Sequence, residues 1–405
     1  MNRNDFPILS ESVNGHQLVY LDNAATTQKP QSVLDAIMYA YTHWNANVHR
    51  GVHHLSQVAT QHHEDARQRV VEFLGATSPN EIVFTKGTTD SINMLAFSFG
   101  EAFVHEGDEI IVSQLEHHSN IVPWQMLCER KQAKLRVIPL RQDLSLDIDA
   151  FQSLLNEHTR IVSVAHVSNV LGIINPIRDI IRIAHAAGVP VCIDGAQSAP
   201  HIPINVKELD CDFFVCSAHK MYGPTGLGVL YGKEQWLNQL PPAEGGGEMI
   251  EHVHFDKTTY NTLPYKFEAG TPNFIGSYAF GKALDYLQNT GMEKAEEHET
   301  QLTNYLEEQL THIPGIQLYA AGLPKAGAVS FNVLRGNGQL IHPFDIGVLL
   351  DHQGVAVRTG HHCAEPLIDY LQVPGTLRVS VAMYNTREEI DYLIQALNKA
   401  IRMLQ

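Results

Sequence analysis

The sequence predicts an α/β protein, in which a large domain built on a mostly parallel sheet precedes a smaller α+β domain. Strand-like apolar segments alternate with helix-like segments through most of the chain, which is typical of a parallel sheet. The apolar segments lack strict alternation with polar residues, which indicates strands covered on both faces. After about residue 285 the pattern changes to longer amphipathic helices with fewer strands between them.

The large domain contains a regular series of candidate strands and helices. The predicted strands are EIVFT (81–85), DEIIVS (108–113), KLRVIPL (134–140), RIVSVAHV (160–167), VPVCID (189–194), DFFVCS (212–217) and GVLYG (228–232). The predicted helices cover 90–103, 122–132 and 177–188. Because helical segments separate most of these strands, we expect a mostly parallel sheet.

The smaller domain is predicted from four segments in the last part of the chain. Its elements are a helix over 291–313, strands over 328–334 and 376–382, and a final helix over 386–405. Thr386 and Glu389 have the spacing of a capping box, which marks the start of the final helix. We therefore expect a large domain over 16–285 and a small domain over 286–405, with residues 1–15 packing near the small one.

Composition excludes several classes of function. The formal net charge of −16 argues against a nucleic-acid partner, because phosphate backbones select for basic patches. No apolar run approaches the ~20 residues needed to span a bilayer. The N-terminal segment lacks the basic and apolar stretches of a secretory signal. We expect a cytoplasmic protein with no membrane or nucleic-acid partner.

The 5 cysteines do not form a disulfide framework by pattern, because their number is odd and no C-x-x-C pair occurs. Cys192 and Cys216 lie in apolar segments and are most simply small core residues. Cys363 is different, since its neighbours in RTGHHCAEP (358–366) are polar. Only a thiolate attacks sulfur, and nearby donors or cations favour that form.

Cys363 has a second interpretation, as a metal ligand together with His361 and His362. Adjacent ligands do not match the spaced pairs of zinc sites, so we expect no metal.

Asp194 ends one predicted buried strand and Lys220 lies just beyond another, at the carboxyl ends where ligands gather in open α/β sheets. An aspartate suits the ring nitrogen of pyridoxal phosphate (PLP), because its charge keeps that nitrogen protonated. A desolvated lysine is the usual Schiff-base former, and Ser217 and His219 beside Lys220 could bind an anion. Taken singly, Asp194 could equally cap a turn and Lys220 could be a surface lysine.

A phosphate site is predicted where Gly87, Thr88 and Thr89 join a strand to a helix. Free N–H groups and the helix dipole bind anions at such a terminus. An ordinary capped helix is the alternative for this motif alone, whereas the presence of Asp194 and Lys220 favours the phosphate.

Eleven sequence blocks resemble, in order, the group II cysteine desulfurases (SufS/CsdA-like) of the class V aminotransferase family. The blocks are LDNAATT (21–27), NVHRGVHHLS (47–56), KGTTDSIN (86–93), EHHSNIVPW (116–124), SNVLG (168–172), DGAQ (194–197), SAHKMYGPTGLGVLYG (217–232), GGGEMI (245–250), FEAGTPN (267–273), RTGHHCAEPL (358–367) and LRVSVAMYNT (377–386). The resemblance covers essentially the whole chain. It implies the fold of fold type I PLP enzymes and PLP as cofactor.

The resemblance also implies a role for each matching residue in cofactor binding. Lys220 would hold PLP covalently, Asp194 would pair with the ring nitrogen, Gln197 would bond the phenolic oxygen and His117 would stack on the ring. Thr88, Thr89, Ser217 and His219 would hold the phosphate. Thr271 would reach the phosphate of a partner subunit, which implies a homodimer with shared active sites.

The remaining implied roles concern substrate and sulfur. Arg378 and Asn169 would bind the α-carboxylate of L-cysteine, as guanidinium groups bind carboxylates in bidentate fashion. Arg358 and His49 flank the family's site and could instead be structural. Cys363 would attack the substrate sulfur after Lys220 removes the α-proton, and His117 would return a proton. Alanine would leave, and Cys363 would keep the sulfur as a persulfide.

Two features of the Cys363 loop bear on the sulfur acceptor. The loop is short compared with group I desulfurases, which implies transfer to a dedicated acceptor protein (SufE-like), with iron–sulfur cluster assembly as the expected destination. Glu365 stands where the family usually has Met or Gln, and its charge could change thiol acidity or acceptor docking.

The segment 334–345 is longer than expected.

Three alternatives remain open. A selenocysteine lyase is the nearest rival, since a selenolate leaves more easily. A plain aminotransferase would leave Cys363 unexplained, and a non-catalytic sulfur-relay subunit would not need Lys220. No G-x-G-x-x-G opens a helix, so a nucleotide-binding protein is not predicted.

Overall fold

The computed structural model describes residues 2–405, in which helices and strands alternate through the first two thirds of the chain. The helices are α1 Gln31–His43, α2 His54–Leu74, α3 Thr88–Phe103, α4 Val122–Lys131, α5 Ile148–Leu154, α6 Ile177–Ala186, α7 Val206–Leu209, α8 Glu234–Gln239, α9 Phe274–Thr290, α10 Met292–Thr311, α11 Pro343–Asp351, α12 Glu365–Leu371 and α13 Arg387–Leu404. Within the described residues, none of these helices has the length and apolar character needed to cross a membrane.

The strands form one large sheet, a second smaller sheet and three short pairs. They are β1 Ser12–Val13, β2 His16–Gln17, β3 Val19–Tyr20, β4 Ile82–Thr85, β5 Glu109–Ser113, β6 Lys134–Ile138, β7 Thr159–Ala165, β8 Val191–Asp194, β9 Phe213–Ser217, β10 Gly228–Gly232, β11 Ile250–Val253, β12 Thr258–Tyr260, β13 Ile316–Leu318, β14 Ala328–Leu334, β15 Leu340–Ile341, β16 Val355–Ala356, β17 Arg358–Gly360 and β18 Thr376–Ser380.

The large sheet has seven strands in the order β4-β10-β9-β8-β7-β5-β6. All run parallel except β10, which is antiparallel to both of its neighbours. Every residue of β4, β5, β8 and β9 is buried, as the unbroken apolar segments predict for strands covered on both faces. The carboxyl ends of β4, β5, β7, β8 and β9 therefore meet at one edge of the sheet, where a ligand site is expected.

The second sheet is antiparallel, in the order β13-β14-β18-β17, with β15 beside β14. Helix α13 covers it with Ile390, Leu393 and Leu397, which are fully buried. The predicted capping box is present, because Thr386 accepts from the Glu389 N–H and Glu389 accepts from the Thr386 N–H. The capping-box spacing in the sequence therefore locates the start of this helix.

The N-terminal segment is tied to the C-terminal part of the chain. Strand β3 pairs in parallel with β16. Arg3 forms a 2.7 Å ion pair with Glu389, and the Asn14 amide donates to the Asp351 carbonyl oxygen over 2.8 Å. The first twenty residues therefore reach elements that lie more than three hundred residues later in the sequence.

Helices α1, α2 and α9 are missing from the elements that the sequence predicts. Helix α9 contains Gly276 and Gly281, which weaken a helical pattern. At Gly281 a Cβ atom would stand 3.4 Å from the Cβ of Ala66, so the small residue allows α9 to lie close to α2. Residue 285, where the sequence pattern changes, lies inside α9 rather than in a linker.

A buried ion pair joins α2 to the segment that follows the large sheet. Arg67 is fully buried, and its Nη1 and Nη2 donate to the two carboxylate oxygens of Glu268 over 2.7 and 2.9 Å. Glu268 also accepts from the Phe84 N–H over 2.6 Å, and Arg67 donates to the Ile82 carbonyl oxygen over 2.9 Å. The pair thus satisfies polar groups of β4 as well as its own charges.

We expect Glu268→Ala to lower the free energy of unfolding by roughly 3–5 kcal/mol, because it leaves the Arg67 charge buried without its main partner. Chemical denaturation of the purified protein measures this loss. The matched control is Glu72→Ala, which removes a half-exposed partner of Arg69 and is expected to cost no more than about 1 kcal/mol. Equal losses in the two variants would contradict the assigned role of the buried pair.

Candidate active site

A cavity of about 200 Å³ opens at the carboxyl edge of the large sheet and collects most of the side chains that the sequence singles out. The predicted site residues that line it are Thr88, Thr89, His117, Asn169, Asp194, Gln197, Ser217, His219, Lys220, Arg358, Cys363 and Arg378. Two predicted residues, His49 and Thr271, are not among its lining residues. The cavity therefore brings together residues from nearly three hundred positions of sequence.

Lys220 ends a single 3-10 turn, Ala218–Lys220, that follows β9 directly. Burial lowers the pKa of its ammonium to about 8, against the opposing effect of the Asp194 carboxylate. A lysine with this pKa holds a useful fraction of neutral amine near neutral pH, whereas an ordinary lysine does not. The turn thus presents an amine that can act as a nucleophile.

Asp194 is the last residue of β8, on the strand next to the one that leads to Lys220. Its Oδ1 accepts from the Ala196 N–H over 2.9 Å. Burial raises the pKa of the carboxyl group, while Lys220 opposes the shift. A buried carboxylate of this kind favours a cationic partner in the cavity. Gln197 is held beside it, because its Nε2 donates to the Ala24 carbonyl oxygen over 2.7 Å.

Helix α3 begins in the cavity at Thr88 without a side-chain cap, since Gly87 stands at its N-cap. The Ser217 Oγ accepts from the Thr88 N–H over 2.8 Å and lies 2.8 Å from the Thr88 Oγ1. Hydroxyl groups and uncapped N–H groups at the positive end of a 16-residue helix favour an anion.

His117 follows β5 and faces Lys220 across the cavity. Its Nδ1 accepts from the Ser119 N–H over 3.0 Å, so the proton of the neutral ring is on Nε2. Burial, with the Lys220 charge added, lowers the pKa of His117 to about 3. The ring is therefore neutral across the physiological range.

Glu116, next to His117, is buried beneath the site and has no role in the sequence prediction. Its carboxylate accepts from the Ala165 N–H over 3.0 Å and from the Asn120 Nδ2 over 2.6 Å. Burial raises the pKa of Glu116 to about 7. These bonds fix the end of β5 against β7 and with it the direction of the following histidine.

Two arginines from the second sheet close the other side of the cavity. Arg358 on β17 lies directly opposite Arg378 on β18. Arg378 is buried, and it donates from Nη1 to the Asn169 carbonyl oxygen over 2.8 Å and from Nη2 to Asp22 over 2.9 Å. Its Nε and the Asn169 Oδ1 have no hydrogen-bond partner within residues 2–405. Two guanidinium groups beside one carboxylate leave a positive balance that fits an anionic substrate.

Cys363 is the exposed cysteine at the mouth of the cavity, whereas the other four cysteines are buried. It occupies the left-handed region with φ 56°, as does His362 with φ 54°. The His362 carbonyl oxygen accepts from the Asn169 Nδ2 over 2.7 Å, which ties the thiol loop to the residue beside Arg378.

His49 and Thr271 lie elsewhere on the protomer. The His49 imidazole is held between Glu64 and Glu248 at 3.0 Å each, and the hydrogen bond to Glu64 raises its pKa above the usual range. His63 is also close to the Glu64 carboxylate. The Arg67 guanidinium contacts both Glu64 and His63, so this group of side chains already contains a cation. Thr271 lies on the surface in the loop before α9.

Sequence reasoning missed several residues that shape the site. Asp22 and Ser119 lie inside blocks that carry the family resemblance, but the sequence assigns no role to either residue. The sequence suggests no role for His362 other than that of a zinc ligand. In the structure its Nε2 lies 2.9 Å from the Thr376 Oγ1. The signal available for Asp22 was its position in LDNAATT, but its partner Arg378 is more than three hundred residues away.

Comparisons with known proteins agree with this geometry. The Aminotransferase class-V family profile matches residues 19–393. A cysteine desulfurase of Cronobacter sakazakii is 49% identical over 403 residues, covering 99% of this chain and 98% of its own. A probable cysteine desulfurase of Synechocystis is 48% identical over 404 residues, covering 99% of this chain and 95% of its own. The crystal structure of the cysteine desulfurase CsdA from Escherichia coli has a TM-score of 0.92 at 39% identity, covering 100% of this chain and 98% of its own.

The fold and the cavity define a PLP-dependent enzyme of fold type I. The chain belongs to the class V aminotransferase family. The predicted family, fold class and cofactor are thereby confirmed. The cavity fits PLP in this chain on its own evidence, because it joins a buried carboxylate, a lysine of lowered pKa and an uncapped helix terminus.

We expect covalent capture of PLP by the cofactor-free protein to accelerate about tenfold per pH unit up to about pH 8 and to level off above it. The reason is that only the neutral Lys220 amine reacts, and its pKa is about 8. Borohydride reduction followed by peptide mass spectrometry measures the labelled fraction at Lys220. His117, with a pKa of about 3, does not titrate in this range. A rate that still rises steeply at pH 10 would contradict the lowered pKa, and Lys220→Ala provides the blank.

Proposed function

We propose that the protein is a cysteine desulfurase that converts L-cysteine to L-alanine and leaves the sulfur on Cys363. One observation carries the proposal. A thiol at the mouth of the cavity, the only exposed one among the described cysteines, shares that cavity with Lys220 and Arg378. A plain aminotransferase needs the lysine and the arginine, but it has no use for the thiol. The full-length relatives named as cysteine desulfurases support the same conclusion.

The cofactor roles predicted from the sequence are retained in this proposal. Asp194 would pair with the ring nitrogen, Gln197 would bond the phenolic oxygen, and the uncapped end of α3 with Ser217 and His219 would hold the phosphate. When bound, PLP supplies an electron sink for the pair left at the substrate α-carbon. The neutral ring of His117 would suit stacking on the cofactor, because a charged imidazole would repel a cationic ring.

Substrate binding is assigned to the positive side of the cavity. The α-carboxylate of L-cysteine would lie against Arg378, whose unpartnered buried Nε–H supports this placement, with Asn169 beside it. Arg358, opposite Arg378, adds attraction at the entrance. The substrate sulfur would then lie toward the loop that carries Cys363, because that loop is bonded to Asn169 through the His362 carbonyl.

Proton transfer at the α-carbon is assigned to Lys220. Its amine removes the α-proton, and the resulting ammonium holds a proton close to the same carbon. His117 is a weaker candidate for returning that proton than the sequence suggests, because its pKa is about 3 and its Nδ1 already accepts a hydrogen bond from Ser119. We therefore assign His117 to stacking and Lys220 to both proton transfers.

Sulfur transfer is assigned to the Cys363 thiolate. Its sulfur attacks the substrate sulfur, so a sulfur–sulfur bond forms while the substrate carbon–sulfur bond breaks. The bonding pair stays on the carbon skeleton, which becomes alanine when protons are added. The balance is one L-cysteine and one thiol converted to one L-alanine and one persulfide, with no external oxidant or reductant.

The sulfur would pass from Cys363 to an acceptor protein of the SufE-like kind, with iron–sulfur cluster assembly as the proposed destination. A short loop supports this, because helix α12 begins only two residues after the thiol. The exposed Glu365, two residues after the thiol, would meet a basic patch on the acceptor. A cytoplasmic location is part of the proposal, since a reducing compartment keeps the thiol free.

The proposed assembly is a homodimer with shared active sites. Thr271 is exposed and outside its own cavity, which supports contact with a partner's phosphate site. Exposed Met38 and Tyr41 on α1 and the fully exposed Phe255 supply apolar surface that a partner could cover. The proposed domains are 16–285 and 286–405, with residues 1–15 beside the second. The separate apolar core beneath the second sheet supports two units, although α9 spans the proposed boundary at 285 and Val19 and Leu21 pack in the second core.

Selenocysteine lyase is the alternative within the same chemistry, and the relatives named as desulfurases do not favour it. The ratio of kcat/KM for cysteine and selenocysteine, measured with and without a candidate acceptor, separates the two. A cysteine rate that acceptor protein raises to the level of selenocysteine turnover supports the desulfurase.

We expect Cys363→Ser to lower alanine formation from cysteine by roughly two orders of magnitude and to abolish the persulfide, because a hydroxyl is not ionised near neutral pH as a thiol is. Mass spectrometry of the intact protein detects the added sulfur atom. Cys128→Ala, which removes a buried thiol on α4, is the matched control and should keep both activities. Full turnover in Cys363→Ser would end the proposed sulfur step.

We expect Thr271→Ala to weaken PLP binding in trans by about tenfold, the size of one lost hydrogen bond to a charged group. A heterodimer of Thr271→Ala with Lys220→Ala should keep one site of wild-type affinity, because the Lys220→Ala subunit supplies Thr271. A heterodimer of wild type with the double variant should have only a weakened site. Equal affinities in these two heterodimers would contradict a shared site.

A further inference from the structure

The loop that carries Cys363 has a strained backbone. Two consecutive residues other than glycine, His362 and Cys363, have positive φ angles of 54° and 56°. L-residues avoid this region because Cβ approaches the following carbonyl oxygen, so outside contacts must maintain it. The strain lies at the residue whose sulfur has to meet the substrate, which makes those contacts functionally important.

The segment after β5 supplies the contacts. The His118 N–H donates to the Cys363 carbonyl oxygen over 2.7 Å. The His118 Nε2 accepts from the Glu365 N–H over 2.9 Å. In addition, the Gln114 Nε2 donates to the Pro366 carbonyl oxygen over 2.8 Å. One histidine therefore holds the chain at two points, with its backbone N–H at the carbonyl of Cys363 itself and with its ring two residues later.

The ring contact replaces a missing helix cap. Helix α12 begins at Glu365, and its N-cap residue Ala364 offers no side-chain acceptor. The first N–H of that helix is satisfied instead by the imidazole of His118, which stands next to His117 in sequence. The histidine that faces the cavity and the histidine that holds the thiol loop are thus fixed to one another by a single peptide unit.

We propose that His118 is a positioning residue for sulfur transfer: by accepting the Glu365 N–H at Nε2, it locks Cys363 in the left-handed conformation in which the thiol lines the cavity. The inference rests on the proposed desulfurase function. It adds that the stage after cofactor and substrate binding depends on a side chain that touches neither of them. Loss of the ring acceptor frees the chain after Cys363, whereas the bonds of Arg378 to Asp22 and to the Asn169 carbonyl do not involve His118.

The test compares three substitutions that differ in one acceptor atom. His118→Gln places an amide oxygen the same number of bonds from Cα as the imidazole Nε2, so it can accept the Glu365 N–H. His118→Leu has similar bulk without an acceptor. His118→Asn keeps a polar amide that is one bond too short, and it serves where the leucine variant folds poorly. All three keep the backbone bond from residue 118 to the Cys363 carbonyl.

Two of the measurements do not require the protein to be catalytically active. Hydrogen exchange at the Glu365 amide in the cofactor-free protein should be protected in wild type and His118→Gln, and at least about tenfold faster in the leucine and asparagine variants. Alkylation of Cys363 by iodoacetamide should be severalfold faster in the same two variants, and the four other cysteines, being buried, do not interfere. Steady-state kinetics complete the set: kcat for alanine formation should fall about tenfold in those variants while KM for cysteine changes less than about twofold.

His158→Leu, at an exposed histidine far from the loop, is the control and should match wild type in every measurement. Wild-type exchange, alkylation and kcat in both His118→Leu and His118→Asn would overturn the proposal. So would a glutamine variant as impaired as the leucine variant, because the acceptor atom would then not be what matters. If wild-type protein forms no alanine from cysteine, the proposed function fails, whereas the exchange and alkylation results still decide whether His118 holds the loop.

Discussion

The rest of the site depends on the hydrogen bonds and the ion pair of the buried Arg378 guanidinium. This guanidinium extends from the second sheet to Asp22 of the N-terminal segment and to the Asn169 carbonyl oxygen beyond the large sheet. A buried cation must be compensated, so these three parts of the chain are held in one arrangement. Asn169 in turn bonds the loop of Cys363. The charge that would bind a substrate carboxylate therefore also sets the position of the thiol relative to it.

Burial lowers the pKa values of two neighbouring groups, Lys220 and His117. The pKa of Lys220 falls to about 8 and the pKa of His117 to about 3, in both cases chiefly because a cation loses its hydration. Lys220 keeps enough positive charge to be drawn to Asp194, whereas His117 is left neutral. One cavity thus contains an amine that can exchange protons near neutral pH and an aromatic ring that does not.

The sequence predicts the strands of the large sheet well, because buried parallel strands are continuous apolar runs whose ends carry the polar residues. Lys220 and Asp194 are predictable for the same reason, since Asp194 ends such a run and Lys220 lies three residues after one. Helices α2 and α9 are not predictable in this way, because polar histidines and packing glycines obscure their periodicity. Asp22 and His118 escape prediction for a different reason: their roles come from partners hundreds of residues away, which local pattern does not encode.

The anchoring of the Cys363 loop has a consequence for how the sulfur leaves. A thiol on a long loop could carry a persulfide away from the cavity, but here α12 begins at Glu365 and is held by His118 and Gln114. Displacing the loop would break the hydrogen bonds from His118, Gln114 and Asn169 and expose the buried Ala364 and Leu367. Movement of the loop is therefore costly, and under the proposed function a sulfur acceptor would have to approach the mouth of the cavity instead. The contacts that would align Cys363 for attack on the substrate would thus also make sulfur release depend on that acceptor.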